Sequence, residues 1–216
     1  MTPNLQSSVL RAGALIALCS LAANAMAHPG AFADTPAQAS AAASFFAGFT
    51  HPLTGLDHLA AMLSVGLWGA LTARRSGPEM LWGPLAFAVM LWAGAVAGWM
   101  GVALPAVEPM VAASVLVLGL LVLAGRHAQS LPAFLLIALF GIFHGAAHGY
   151  ELAGSPFMLA SLAGLLSASL ALHAVGLALG WALRRAPTWM VRLAGMAVVA
   201  LGAGLLAPLV LSTALA

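Results

Sequence analysis

The 216-residue chain is 63% hydrophobic and only 6% charged, whereas charged residues make up roughly a quarter of an ordinary soluble domain. Its seven basic residues are all Arg, set against five acids, too little charge to solvate a soluble globule of this length or to hold nucleic acid. Seven His among so few other ionisable groups is the departure that needs a chemical reason.

Met1 to Ala27 carry one cation, Arg11, then an apolar run from Ala12 to Leu21 and the small-x-small sequence Ala25-Met26-Ala27. That run is shorter than the ~20 residues of a membrane span, so the segment predicts a cleaved secretory leader and a mature chain over 28–216 that starts at His28. Cleavage removes Cys19, the sole cysteine, and with it thiolate and disulfide chemistry. A metal site in the mature chain must then use His and carboxylates.

The first apolar segment runs from about Ala41 to Ala73. As one unbroken helix it would reach ~50 Å, more than a ~30 Å hydrocarbon core requires. Pro52 disturbs a helix interior but suits a first turn, so a break or kink is expected near it. Around that break lies the run His51-Pro-Leu-Thr-Gly-Leu-Asp57-His58. The segments that follow, Met80 to Val102 and Pro109 to Ala124, contain no His; the first carries Phe87, and Glu108 immediately precedes the second.

Leu131 to Gly149 ends in Phe143-His144-Gly-Ala-Ala-His148-Gly-Tyr-Glu151. His144 and His148 are four apart and Glu151 three further on, a spacing that places all three on one helical face. Two such imidazoles can chelate a divalent ion, and the carboxylate can complete or orient the shell. Phe157 to Leu183 buries His173 near its middle, and Trp189 to Leu211 closes the chain. None of the six segments alternates apolar and polar residues as a barrel strand would, so the expected fold is all-α, a polytopic bundle of six transmembrane helices. Gly141/Gly145/Gly149, Gly94/Gly98 and Gly176/Gly180 are spaced for close helix packing.

Every Arg after the leader falls in or beside the loops following the first, third and fifth segments: Arg74, Arg75, Arg126, Arg184, Arg185 and Arg192. This positive-inside pattern predicts that both mature termini lie on the outer side of the membrane. It also collects Asp34, Asp57, Glu108 and Glu151 on the outer side, an attractive entrance for cations. His127, beside Arg126, reads as a solvated loop residue. Ionisable side chains in apolar segments are costly unless paired or functional, and imidazole with carboxylate suits zinc, nickel, cobalt or divalent iron. The ten Met show no repeated short spacing and read mostly as packing residues.

In these two runs the chain resembles the HupE/UreJ family of nickel and cobalt permeases. The family pattern His-Pro-x-x-Gly-x-Asp-His is matched by His51 to His58, and Phe-His-Gly-x-Ala-His-Gly-x-Glu by Phe143 to Glu151. The resemblance implies inward movement of Ni2+ or Co2+ without ATP hydrolysis, no permanently bound cofactor, and a link to hydrogenase or urease maturation. It makes His51, Asp57, His148 and Glu151 the leading metal candidates, with His58 and His144 in support and His28, Phe87, Glu108 and His173 behind them. An intramembrane zinc hydrolase, with Asp57 or Glu151 activating water, is the alternative of a different class.

Overall fold

The computed structural model describes residues 40–74, 77–125, 131–152 and 155–214. The expected leader, His28 and His127 lie outside them. Among the described residues the regular structure is all helical: α1 (Ala41–Thr54), α2 (Leu56–Thr72), a 3-10 turn (Pro78–Leu81), α3 (Trp82–Trp99), α4 (Val107–Ala124), α5 (Leu131–Glu151), α6 (Met158–Leu183) and α7 (Thr188–Ala214). Helices α3 to α7 are long and apolar enough to cross a membrane, α3 together with its 3-10 turn, and α2 is a shorter apolar helix of 17 residues. These six helices correspond to the six expected segments, in a helical membrane bundle.

The first segment departs from expectation. The break expected near Pro52 is present, with Pro52 inside the last turn of α1 and the helix ending at Gly55, whose N–H donates to the His51 carbonyl at 3.3 Å before α2 begins, but the direction taken after it is not the expected one. The chain reverses there. Phe45 and Phe49 lie over Gly164 and Gly48 over Ser161, so α1 runs antiparallel to α6. Met62 meets Ser169 and Gly66 meets His173, so α2 runs parallel to it. The expected single crossing from Ala41 to Ala73 is therefore a helical hairpin. Pro52 lacks the N–H that would close on the Gly48 carbonyl and so weakens the last turn of α1, and the chain leaves the helix at Gly55 with extended backbone, φ −84° and ψ 115°.

Glycine sets the packing. Along the α3/α5 seam, a Cβ at Gly141, Gly145 or Gly149 would meet the carbonyl oxygens of Phe87, Leu91 and Ala95, and one at Gly94 or Gly98 those of Ile142 and Ala146. Gly66, Gly176 and Gly180 bring α2 equally close to α6, and Gly119, Gly195 and Gly202 bring α4 close to α7. Large apolar side chains such as Trp82, Leu159 and Trp189 face outward, as lipid requires. At the end of α3, Gly101 adopts φ 83°, the left-handed conformation that lets Val102 N–H close on the Ala97 carbonyl at 3.0 Å.

The two ends of the bundle differ in charge. At one, Tyr150 ties the end of α5 to the α3–α4 loop: its hydroxyl donates to the Val102 carbonyl at 2.8 Å and accepts from Leu104 N–H at 2.6 Å. Asp57, Glu108 and Glu151 belong to this end, in the first turn of α2, the first turn of α4 and the end of α5. At the other, Arg184 donates to the Ala73 carbonyl at 2.9 Å and lies over the Trp181 ring.

Candidate metal centre

The hairpin reversal at Gly55 carries His51 back against His58 and presents both to the end of α5. The ring centroids of His51 and His58 are 5.8 Å apart, those of His51 and His148 4.7 Å, and those of His58 and His148 4.5 Å. One ring nitrogen from each of these three His lies within 4.8 Å of the other two, a separation that small side-chain adjustments convert into shared coordination at about 2 Å per bond. Helix spacing alone could not bring His51 and His58 together. The sharp turn does so.

His58 has a partner that selects its free nitrogen. Asp57 Oδ1 lies 2.7 Å from His58 Nδ1 and also accepts the His58 backbone N–H at 2.8 Å. A carboxylate there takes the Nδ1 proton and leaves the Nε2 lone pair directed away from it, the arrangement that prepares histidine to bind metal. His58 Nε2 is buried and has no hydrogen-bond partner. Asp57 thus touches the cluster through His58.

Glu151 stands at the mouth. Its Oε2 is 3.7 Å from His51 Nε2 and 3.6 Å from His148 Nδ1, with 30% of the side chain exposed. These separations exceed hydrogen-bond length and leave the carboxylate able to accompany an ion from solvent to the imidazoles. His148 is 1% exposed, and neither of its ring nitrogens has a hydrogen-bond partner. A buried imidazole with both nitrogens unsatisfied is costly in an apolar bundle, and a cation between the three rings removes that cost.

His144 lies one turn deeper on α5, its ring 4.8 Å from that of His58. Ser114 on α4 gives its only hydroxyl proton to the Val111 carbonyl at 2.6 Å, so its oxygen accepts from His144 Nε2 at 2.8 Å. This sets the Nε2–H tautomer and leaves Nδ1 with a lone pair and no partner. Ser114 carries no sequence motif. A hydroxyl in an otherwise apolar helix was its only signal.

Deeper still, the Phe87 ring is fully buried between His144 and His173, 5.4 Å from each. His173 therefore does not join the three-His group, and Glu108 stands exposed in the first turn of α4. Of the expected candidates, His51, His58 and His148 converge, Asp57 and Glu151 flank them, and His144 continues the line inward.

The family model described as HupE / UreJ protein matches residues 16–205. Protein HupE of Rhizobium leguminosarum bv. viciae is 37% identical over 194 residues, covering 88% of this chain and 94% of that one. No solved structure matches.

Proposed function

The chain belongs to the HupE/UreJ family, and from that premise we propose that residues 28–216 form an inner-membrane permease that admits a divalent transition metal, Ni2+ or Co2+. The observation that carries this reading is the group of three imidazoles, His51, His58 and His148, with two of them buried and carboxylates on both flanks. The donor set suits a borderline divalent cation and excludes hard Mg2+ and Ca2+, which seek oxygen-rich shells.

In the proposed cycle the acidic end faces the periplasm, and with it the C-terminal end of α7. A hydrated cation is drawn to Glu151, sheds water to His51 and His148, and is gripped by His58 in the orientation that Asp57 imposes. Each imidazole coordinates as the neutral base, so protons bound to the cluster leave as the ion arrives. The membrane potential drives the ion inward by ~4.6 kcal/mol at 100 mV, twice the single-charge value, without a nucleotide. A nickel enzyme under assembly, a hydrogenase or urease, is the cytoplasmic recipient.

Purified protein in liposomes with an inside-negative potential should accumulate Ni2+ or Co2+, and His148→Ala should abolish accumulation. Lipid-embedded protein that carries neither ion, or a His148→Ala variant that carries them like the parent, overturns the proposal. Turnover of a lipid or peptide amide by zinc-loaded protein would favour the hydrolase instead.

A further inference from the structure

Beyond Phe87 the bundle holds a second set of metal-compatible donors. His173 is 1% exposed, and neither ring nitrogen has a hydrogen-bond partner. Ser169, one turn earlier on the same face of α6, is fully buried and donates its hydroxyl proton to the thioether sulfur of Met62 at 3.2 Å. Met62 is itself fully buried on α2, and one turn further along α2 lies Gly66, whose missing side chain lets the backbone of His173 approach. A thioether and a hydroxyl in contact, and a buried imidazole one helical turn along, thus lie where two closely packed helices meet.

We propose that His173, Met62 and Ser169 form a second station for the transported cation, separated from the three-His cluster by the ring of Phe87. The proposal rests on the reading of that cluster as a transition-metal site. Ring-to-ring steps of 4.7, 4.5 and 4.8 Å lead from His51 through His148 and His58 to His144, and two steps of 5.4 Å then pass across Phe87 to His173. The two stations differ in chemistry. The first has Asp57 and Glu151 to hold positive charge, whereas the second offers only neutral donors, one of them soft sulfur. It therefore accepts a borderline cation such as Ni2+ or Co2+, rejects hard ones, and binds more weakly, which suits a station the ion must leave. Phe87 presents an apolar ring between them, so the ion passes when that side chain swings aside.

The test is a titration of the purified full-length protein with Co2+, followed by visible absorption and X-ray absorption. The parent should show a tight site and a weaker one, with a sulfur neighbour only in the weaker. His173→Leu should remove the weaker site, and Met62→Leu, which conserves volume, should remove the sulfur signal and weaken that site about tenfold or more. Both variants should keep the tight site, which His148→Ala removes. A single class of site in the parent, or a weak site that keeps its sulfur in Met62→Leu, refutes the second station. Binding at both stations with no flux in liposomes would instead count against the permease reading and leave this one standing.

Discussion

Asp57→Ala tests whether the carboxylate orients a ligand or is one. The substitution removes the acceptor 2.7 Å from His58 Nδ1 and 2.8 Å from its backbone N–H. The ring then exchanges tautomers freely and presents an N–H, in place of a lone pair, to the cluster for part of the time. Partners of this kind contribute ~10–100-fold in metal affinity, or about 1.4–2.7 kcal/mol. A hydrogen bond to a charged group, worth about 1.5–3 kcal/mol, predicts the same range independently. Asp57→Asn keeps an acceptor but loses the charge, so its affinity should fall between those of the parent and Asp57→Ala. Competitive titration of the purified protein with Ni2+ and a chromophoric chelator reads the affinity directly. The reasoning is refuted if Asp57→Ala binds within about twofold of the parent, given the tenfold minimum expected for such a partner. It is equally refuted if both variants lose binding as completely as His148→Ala, because Asp57 would then be a direct ligand.

Gly145→Ala should lower the unfolding midpoint in detergent, with a cost of about 1–3 kcal/mol, because its Cβ would strike the Leu91 carbonyl, a backbone atom that cannot step aside. Gly77→Ala, where nothing lies within 4 Å, should leave the midpoint unchanged. Arg184→Gln should destabilise the chain by about 1.5–3 kcal/mol through the lost charged bond to the Ala73 carbonyl, while Ni2+ titration at the opposite end stays as in the parent. Uptake into liposomes should fall as the external medium is acidified, since protons and the cation compete for the same lone pairs; a rise on acidification contradicts direct imidazole ligation.

The helical class, the six apolar segments and their ends to within a few residues were legible because bilayer solvation demands long apolar runs, and Arg and acids mark where they stop. The α5 half of the candidate site was legible as an arrangement: His144, His148 and Glu151 need only the helical repeat to share a face. The hairpin was not. Pro52 attracts attention as a breaker, yet the reversal depends on the backbone angles of Gly55 and on Gly48 and Gly164 admitting α1 against α6, a tertiary fit with no local signature. For the same reason, the division of labour between His58 and Asp57 was hidden. Adjacent residues in the sequence fall into different roles only once the turn directs one ring at the cluster and sets the carboxylate behind it. Ser114, the one serine of α4, and Ser169, one of three in α6, carry no motif in sequence, and only contact with His144 or Met62 tells them apart.

The glycine seams also decide which parts of the molecule travel together. His51, Asp57 and His58 sit on the α1–α2 hairpin, which is fastened to α6 backbone against backbone, while His148 and Glu151 ride on α5, fastened in the same way to α3. A cation held by His51, His58 and His148 is therefore a rivet between two stiff plates, and the cargo becomes a temporary structural member of its own carrier. At a hundredfold excess over its dissociation constant such a rivet adds ~2.7 kcal/mol to the assembled form. The plates cannot part at the cluster without releasing the ion, and once it has gone that tie between them is lost.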